Sequence, residues 1–200
     1  MKHPSQIALL LLIATAAAAQ SKQDSLDMRQ DMAQYYSATL NLQYDSLLYF
    51  MPPATFDIAP KESIKEQLKE AFESEEIKIR FVFFQYGLPT SVGKTGDHLY
   101  ALIPYDAAMT MTMTDSDTTM LGMVFYAMGL QFGSENVERK PDNSLYIKTP
   151  NKRMLAIKSP GHDSWKFIED KRNSNLPGDE QTQQLVDMVI PKEVLDATKK

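Results

Sequence analysis

Apolar residues at helical spacing open the first folded stretch of the chain. From Leu26 onward, Met28, Met32, Tyr35, Tyr36, Leu40 and Leu42 recur at three- and four-residue intervals and predict an amphipathic helix. Tyr44, Leu47, Leu48 and Phe50 predict a second, shorter one. Pro52-Pro53 ends it, because a proline pair supplies no N–H and presets an extended backbone. Residues 54–60 read as a connection. Pro60 suits a first helical turn. After it Ile64, Leu68, Ala71 and Phe72 form an apolar stripe, expected to face the core, while Lys61, Glu62, Lys65, Glu66, Lys69 and Glu70 cover the other faces.

Near residue 75 the period changes from helical to extended. Ile77 to Phe84 begins with clean alternation and is rich in β-formers. Gly87, Pro89, Gly93 and Gly96 mark a loop. Residues 99–114 predict a second strand, and alternation over 109–114 puts methionine on one face and threonine on the other. Asp115-Ser116-Asp117 is a helix N-cap cluster. Residues 118–131 are apolar nearly all round, so this helix is expected to be well buried. Gly133 stops it. Short strands follow at 136–139, 145–148, 153–158 and 165–169, with turns at Pro141-Asp142-Asn143 and Pro160-Gly161-His162-Asp163. A polar loop over 173–180, a helix over 181–189 and a final turn over 193–197 after Pro191 complete the chain. Helices first, then antiparallel strands with one inserted helix, give an α+β class with helices on one face of a curved sheet.

The first nineteen residues read as a cleavable signal peptide. Lys2 and His3 form a basic start, Ile7 to Ile13 an apolar run, and Ala17 and Ala19 the small residues a signal peptidase admits. The run is far shorter than the ~20 residues of a membrane span. Residues 20–25 are expected to be a frayed lead-in, and the rest one domain. There is no cysteine, which excludes disulfides, a lipid-bearing thiol, cysteine nucleophiles and cysteine-built zinc sites. The formal charge is −5, and loss of Lys2 deepens it by one unit. That sign argues against nucleic acid and anionic membrane as partners. The expected compartment is periplasmic or extracellular, with no stable membrane anchor.

The order of elements resembles the NTF2-like (cystatin-like cone) superfamily. The helices at 26–50 and 60–72, the strands at 77–84 and 99–114, and the closing pair ending in Trp165-Lys166-Phe167-Ile168-Glu169 support the resemblance. It implies an N-terminal helical hairpin closing one side of a strongly bent antiparallel sheet, with a pocket in the cone. The helix at 118–131 departs from the simplest version of that fold and could plug or lid the cone. The superfamily includes isomerases, dehydratases and pure binding modules, so the resemblance locates a pocket better than a reaction.

Candidate chemistry is sparse. Acid–base work in a cone needs an inward carboxylate or histidine beside a donor. Asp45 with Tyr44 and Tyr49 is the nearest match; the competing reading has both tyrosines packed and Asp45 solvated. His98 and His162 lie at a strand start and in a turn, and neither has a second histidine at ligand spacing. Gly93-Lys94-Thr95 fails as a phosphate loop, because Leu88 occupies the position of the first glycine. Ser63, Ser91 and Ser159 lack a nucleophile elbow. Met109, Met111 and Met113 on a strand face, with Met120, Met123 and Met128 on the next helix, read as core. The sharper reading is an adaptable apolar pocket, which Tyr86, Tyr100, Tyr105, Phe125 and Trp165 would also line. A copper–thioether site lacks a nearby histidine. No metal or cofactor is expected. The chain therefore reads as an exported binding or interaction module that holds a small apolar ligand or a protein partner in a cone-shaped pocket. The alternatives are a cone-pocket enzyme, isomerase or hydrolase-like, that uses a buried carboxylate and tyrosine, and a structural homodimer.

Overall fold

In the computed structural model the described residues are 5–114, 118–172 and 179–198. Side chains are described from Gln23 onward, apart from Ser91, Thr118, Thr119, Asp179 and Gln181. Lys2, His3 and the expected cap at 115–117 lie outside the described residues, as does the polar loop as far as residue 178. Among the described residues no helix is long and apolar enough to cross a membrane.

Helix α1 (Ser5–Leu40) runs through the expected lead-in without a break. Asp24 and Asp27 explain why residues 23–27 do not fray: each carboxylate pairs at 3.0 Å with Lys158 Nζ on the sheet. Met28 and Met32 are buried on the inner side of the helix. The chain turns at Leu42, which adopts a left-handed φ of 48°, into α2 (Tyr44–Phe50). A four-residue helix α3 (Thr55–Ile58) occupies the expected connection. Helix α4 (Lys61–Glu73) follows Pro60, yet its stripe is only half-buried: Leu68 and Phe72 pack at the edge, against Ala38, Tyr44 and Leu47.

Six antiparallel strands form one open sheet, four strands wide. Its centre is the long pair β3 (His98–Met113) and β5 (Ser144–Lys158). The two strands expected at 145–148 and 153–158 are one strand with a bulge, where the register slips between Tyr105 and Ala107. Asn151 has a φ of 56° there, and its N–H donates to Asp106 Oδ1 at 2.7 Å. β1 (Ile77–Tyr86) and β2 (Thr90–Thr95) share the outer edge of β3, one along each half. β2 arises in the stretch expected to be a loop, since Gly93 and Gly96 serve a bulge and a hairpin turn rather than an unpaired segment. β4 (Val137–Arg139) and β6 (Lys166–Glu169) divide the outer edge of β5 in the same way. The bulges bend the strands under the helices.

Three clusters hold the layers together. On one face Ala101, Ile103, Tyr105 and Ala107 meet Met154, Ala156 and Phe167, covered by Met28, Met32 and Phe50 from α1 and α2. On the opposite face Tyr100, Leu155, Ile157 and Ile168 meet α6 (Asp179–Val189) and α7 (Lys192–Ala197) through Leu185, Val186, Val194 and Leu195, with Ile190 between the two helices. Helices therefore cover both faces at this end of the sheet, where sequence periodicity suggested one. At the far end Met111, Met113, Leu145 and Ile147 lie under α5 (Thr118–Phe132). Each fully buried aliphatic side chain, such as Ile103 or Leu155, contributes on the order of 1.5–3 kcal/mol.

The expected burial of α5 is corrected by the structure. Leu121 is buried and Val124, Met128 and Phe132 are half-buried against the sheet, but Met123, Tyr126 and Leu130 point away from it. One helix meets one sheet face, so half of an all-apolar helix stays uncovered. It also stands over the far end of β3 and β5, neither plugging nor lidding the first cluster.

Candidate functional site

The residues expected to line a cone pocket separate into different clusters. Tyr105 and Trp165 are interior members of the first cluster, and Tyr86 packs against its margin. Met111 and Met113 are buried, and Met109 half-buried, beneath α5. Tyr100 belongs to the opposite face. Phe125 lies on the flank of α5 and is partly exposed. The face on which a cone pocket would open is occupied by side chains of α1 and α2. Within it Tyr105 stacks on Phe84 at 4.8 Å, and Tyr35 contacts Phe167 at 5.3 Å.

Polar groups in this interior hold protons rather than release them. Burial, followed by the nearby Glu169, pushes the Tyr35 hydroxyl up to about 12 and drives Tyr105 upward as well. Glu169 is itself paired with Lys171 at 3.2 Å. The candidate acid Asp45 is 81% exposed and ion-paired with Lys65 at 2.6 Å, beside a surface groove of about 410 Å³ between α1 and α2. It lacks the burial that acid–base work in a pocket requires. Tyr44 is buried and donates to Glu73 Oε2 at 2.6 Å, and Arg80 pairs with the other oxygen at 2.6 Å. Burial and that carboxylate push the Tyr44 hydroxyl up to about 12. Tyr49 is exposed and lies under the Lys166 ammonium. The three neighbours in sequence thus have separate partners, and the Tyr44–Glu73–Arg80 chain ties α2 to α4 and β1. His98 stacks on Tyr100 with ring centroids 6.4 Å apart, and His162 is exposed. Among the described residues no cluster of three His, Asp or Glu could hold a metal ion.

The outer side of α5 is the feature without a structural explanation. The helix contains no charged residue over its 15 positions. Met123, Tyr126 and Leu130 are 63%, 68% and 72% exposed, and Ala127 lies beside them. The spacing 123, 126, 127, 130 repeats every three and four residues, so these side chains form a second apolar seam opposite the one that meets the sheet. Exposed apolar faces of this kind are found at contact surfaces. No protein-family model matches the chain, and no curated protein matches it.

Proposed function

We propose that the chain is an exported interaction module that associates with a second copy of itself through the outer seam of α5. The observation behind this reading is the uncharged, exposed Met123–Tyr126–Leu130 row. Two identical helices without charge meet there with no like-charge repulsion, and the spacing suits helix-to-helix packing. Contact along one helix about 22 Å long is far smaller than the ~800 Å² per partner of a standard interface. Association is therefore weak and concentration-dependent. Export rests on residues 1–19, and intact mass of protein recovered from its source should show cleavage after Ala19. NTF2-like ancestry rests on the order of elements. Filling of the first cluster shifts the binding role from a cone interior to this outer surface.

Sedimentation equilibrium on the chain from Gln20 onward tests the reading. The expected result is a monomer–dimer equilibrium that Leu130→Glu and Met123→Glu abolish while the thermal melt stays unchanged. A monomer at all concentrations, or dimers undisturbed by both substitutions, would overturn it and leave α5 to a different protein.

A further inference from the structure

Strand register aligns Tyr100 of β3, Ile157 of β5 and Lys166 of β6 in one row on the second sheet face. Val189, the last residue of α6, borders this row. Pro52, Pro53 and Ala54 wall it on another side, and His98 and Ser159 complete a cleft of about 260 Å³.

Lys166 stands out in this setting. It is 8% exposed, shares its sheet face with Ile157 and Ile168, and lines the cleft. Its Nζ donates to the Tyr49 carbonyl at 2.6 Å and sits 4.1 Å from the centre of the Tyr49 ring. An ammonium has three N–H donors, and that bond uses one. Among the described residues no carboxylate lies within ion-pair distance of it. Asp31 acts on it through space, and its Oδ2 accepts the Trp165 N–H at 2.8 Å. Burial lowers the pKa of the amine, Asp31 opposes this, and Lys61 adds to it. Two other enclosed charges among the described residues are compensated. Lys158 has Asp24 and Asp27, and Asp170 has Arg153 and Arg172. A buried cation without a counterion is costly, and an anion entering the cleft would remove that cost.

We infer that this cleft binds a small monocarboxylate with a flat apolar body. The carboxylate accepts hydrogen bonds from the remaining Lys166 donors, a charge-assisted contact, and the body lies along Tyr100 and His98 between the prolines and Val189. The volume is below the ~300 Å³ at which drug-sized pockets begin, so a single ring or a short chain fits. Lys166 supplies the one amine among the residues that line the cleft, which suits a monoanion; a phosphate dianion needs further donors. The site is separate from α5, and its test is independent of self-association.

Phenylacetate, with phenylacetamide as its neutral counterpart, is the probe for an NMR titration of the chain from Gln20 onward. The expected result is saturable shifts of the Tyr100 ring and Lys166 side-chain signals with phenylacetate, and affinity lower by about tenfold or more for phenylacetamide or in Lys166→Met. Should Lys166→Met fail to fold, the comparison of acid and amide on the unaltered protein decides alone. Equal affinity for acid and amide, or no saturable shift of these signals up to about 10 mM phenylacetate, would overturn the inference.

Discussion

Two enclosed charges at opposite ends of the same edge strand, Lys166 and Asp170, meet opposite fates. The Asp170 side chain is fully buried just past the end of β6, and every polar need it has is met. Arg172 Nε and Nη2 donate to its two oxygens at 2.7 and 2.8 Å, and Arg153 pairs at 2.8 Å. Arg172 also reaches the Leu195 carbonyl and the Thr198 hydroxyl, so the cluster clamps α7 against the sheet. Lys166, at the start of β6, has one carbonyl and one ring. Burial pushes the Asp170 carboxyl up, yet Arg172 and Arg153 outweigh it and hold the group below its ordinary 3.8. For Lys166 burial wins and the amine is held below 10.5. The first arrangement is closed and structural; the second leaves two donors beyond its one carbonyl bond, on a side chain that lines a cleft. The contrast teaches that burial by itself does not separate a compensated charge from an uncompensated one, whereas the tally of unmet donors does.

Asp170→Asn should have the largest effect. It leaves two arginines beside a neutral amide, and we expect a loss of about 3 kcal/mol in urea-induced unfolding. A loss below about 1 kcal/mol would place the cluster among ordinary surface ion pairs. Acid titration comes next. The folded pKa of Asp170 lies below the unfolded one, so its stabilisation is complete above 3.8 and is lost as pH falls through the folded value. Unfolding measured across acid pH should show this decline in the unaltered protein and a flatter profile in Asp170→Asn. Thr198→Val removes the hydroxyl that accepts from Arg172 and donates to Leu195, and should cost about 1 kcal/mol by the same assay. Lys166→Met should change stability least, by less than about 1 kcal/mol, because lost hydrogen bonding and relieved desolvation offset each other. The residual difference has a pH signature. The folded amine pKa lies below 10.5, so the desolvation penalty applies at neutral pH and fades as pH rises toward 10.5. Unaltered protein should therefore gain on Lys166→Met in that window. A Lys166→Met loss as large as that of Asp170→Asn would erase the distinction between the two charges.

Parts of this site were readable in advance. The closing strand alternates, and Lys166 falls on the same face as Ile168, so a charge at an inward position was visible in the segment Trp165-Lys166-Phe167-Ile168-Glu169. Its missing counterion was not, because that depends on which carboxylates the fold brings near. Tyr44 and Glu73 lie 29 residues apart, and no spacing rule links them. Asp45 drew attention through its tyrosine neighbours, but the turn at Leu42 sends it to solvent and Tyr44 inward. The lead-in at 20–25 looked frayed because Lys158, its anchor, is more than 130 residues away.

Local periodicity alone determined the change from helix to strand near residue 75, the Met/Thr division along β3, the stop at Pro52-Pro53 and the α+β class. Each depends on neighbours within a few residues, where spacing and backbone geometry suffice. Only the tertiary structure decided that β5 is one bulged strand, that helices cover both faces at one end, and which side of α5 is covered. A helix that is apolar all round presents two equivalent stripes, and local pattern cannot choose between them. That choice belongs to the single sheet face within reach, which buries Leu121 and leaves Leu130 outside.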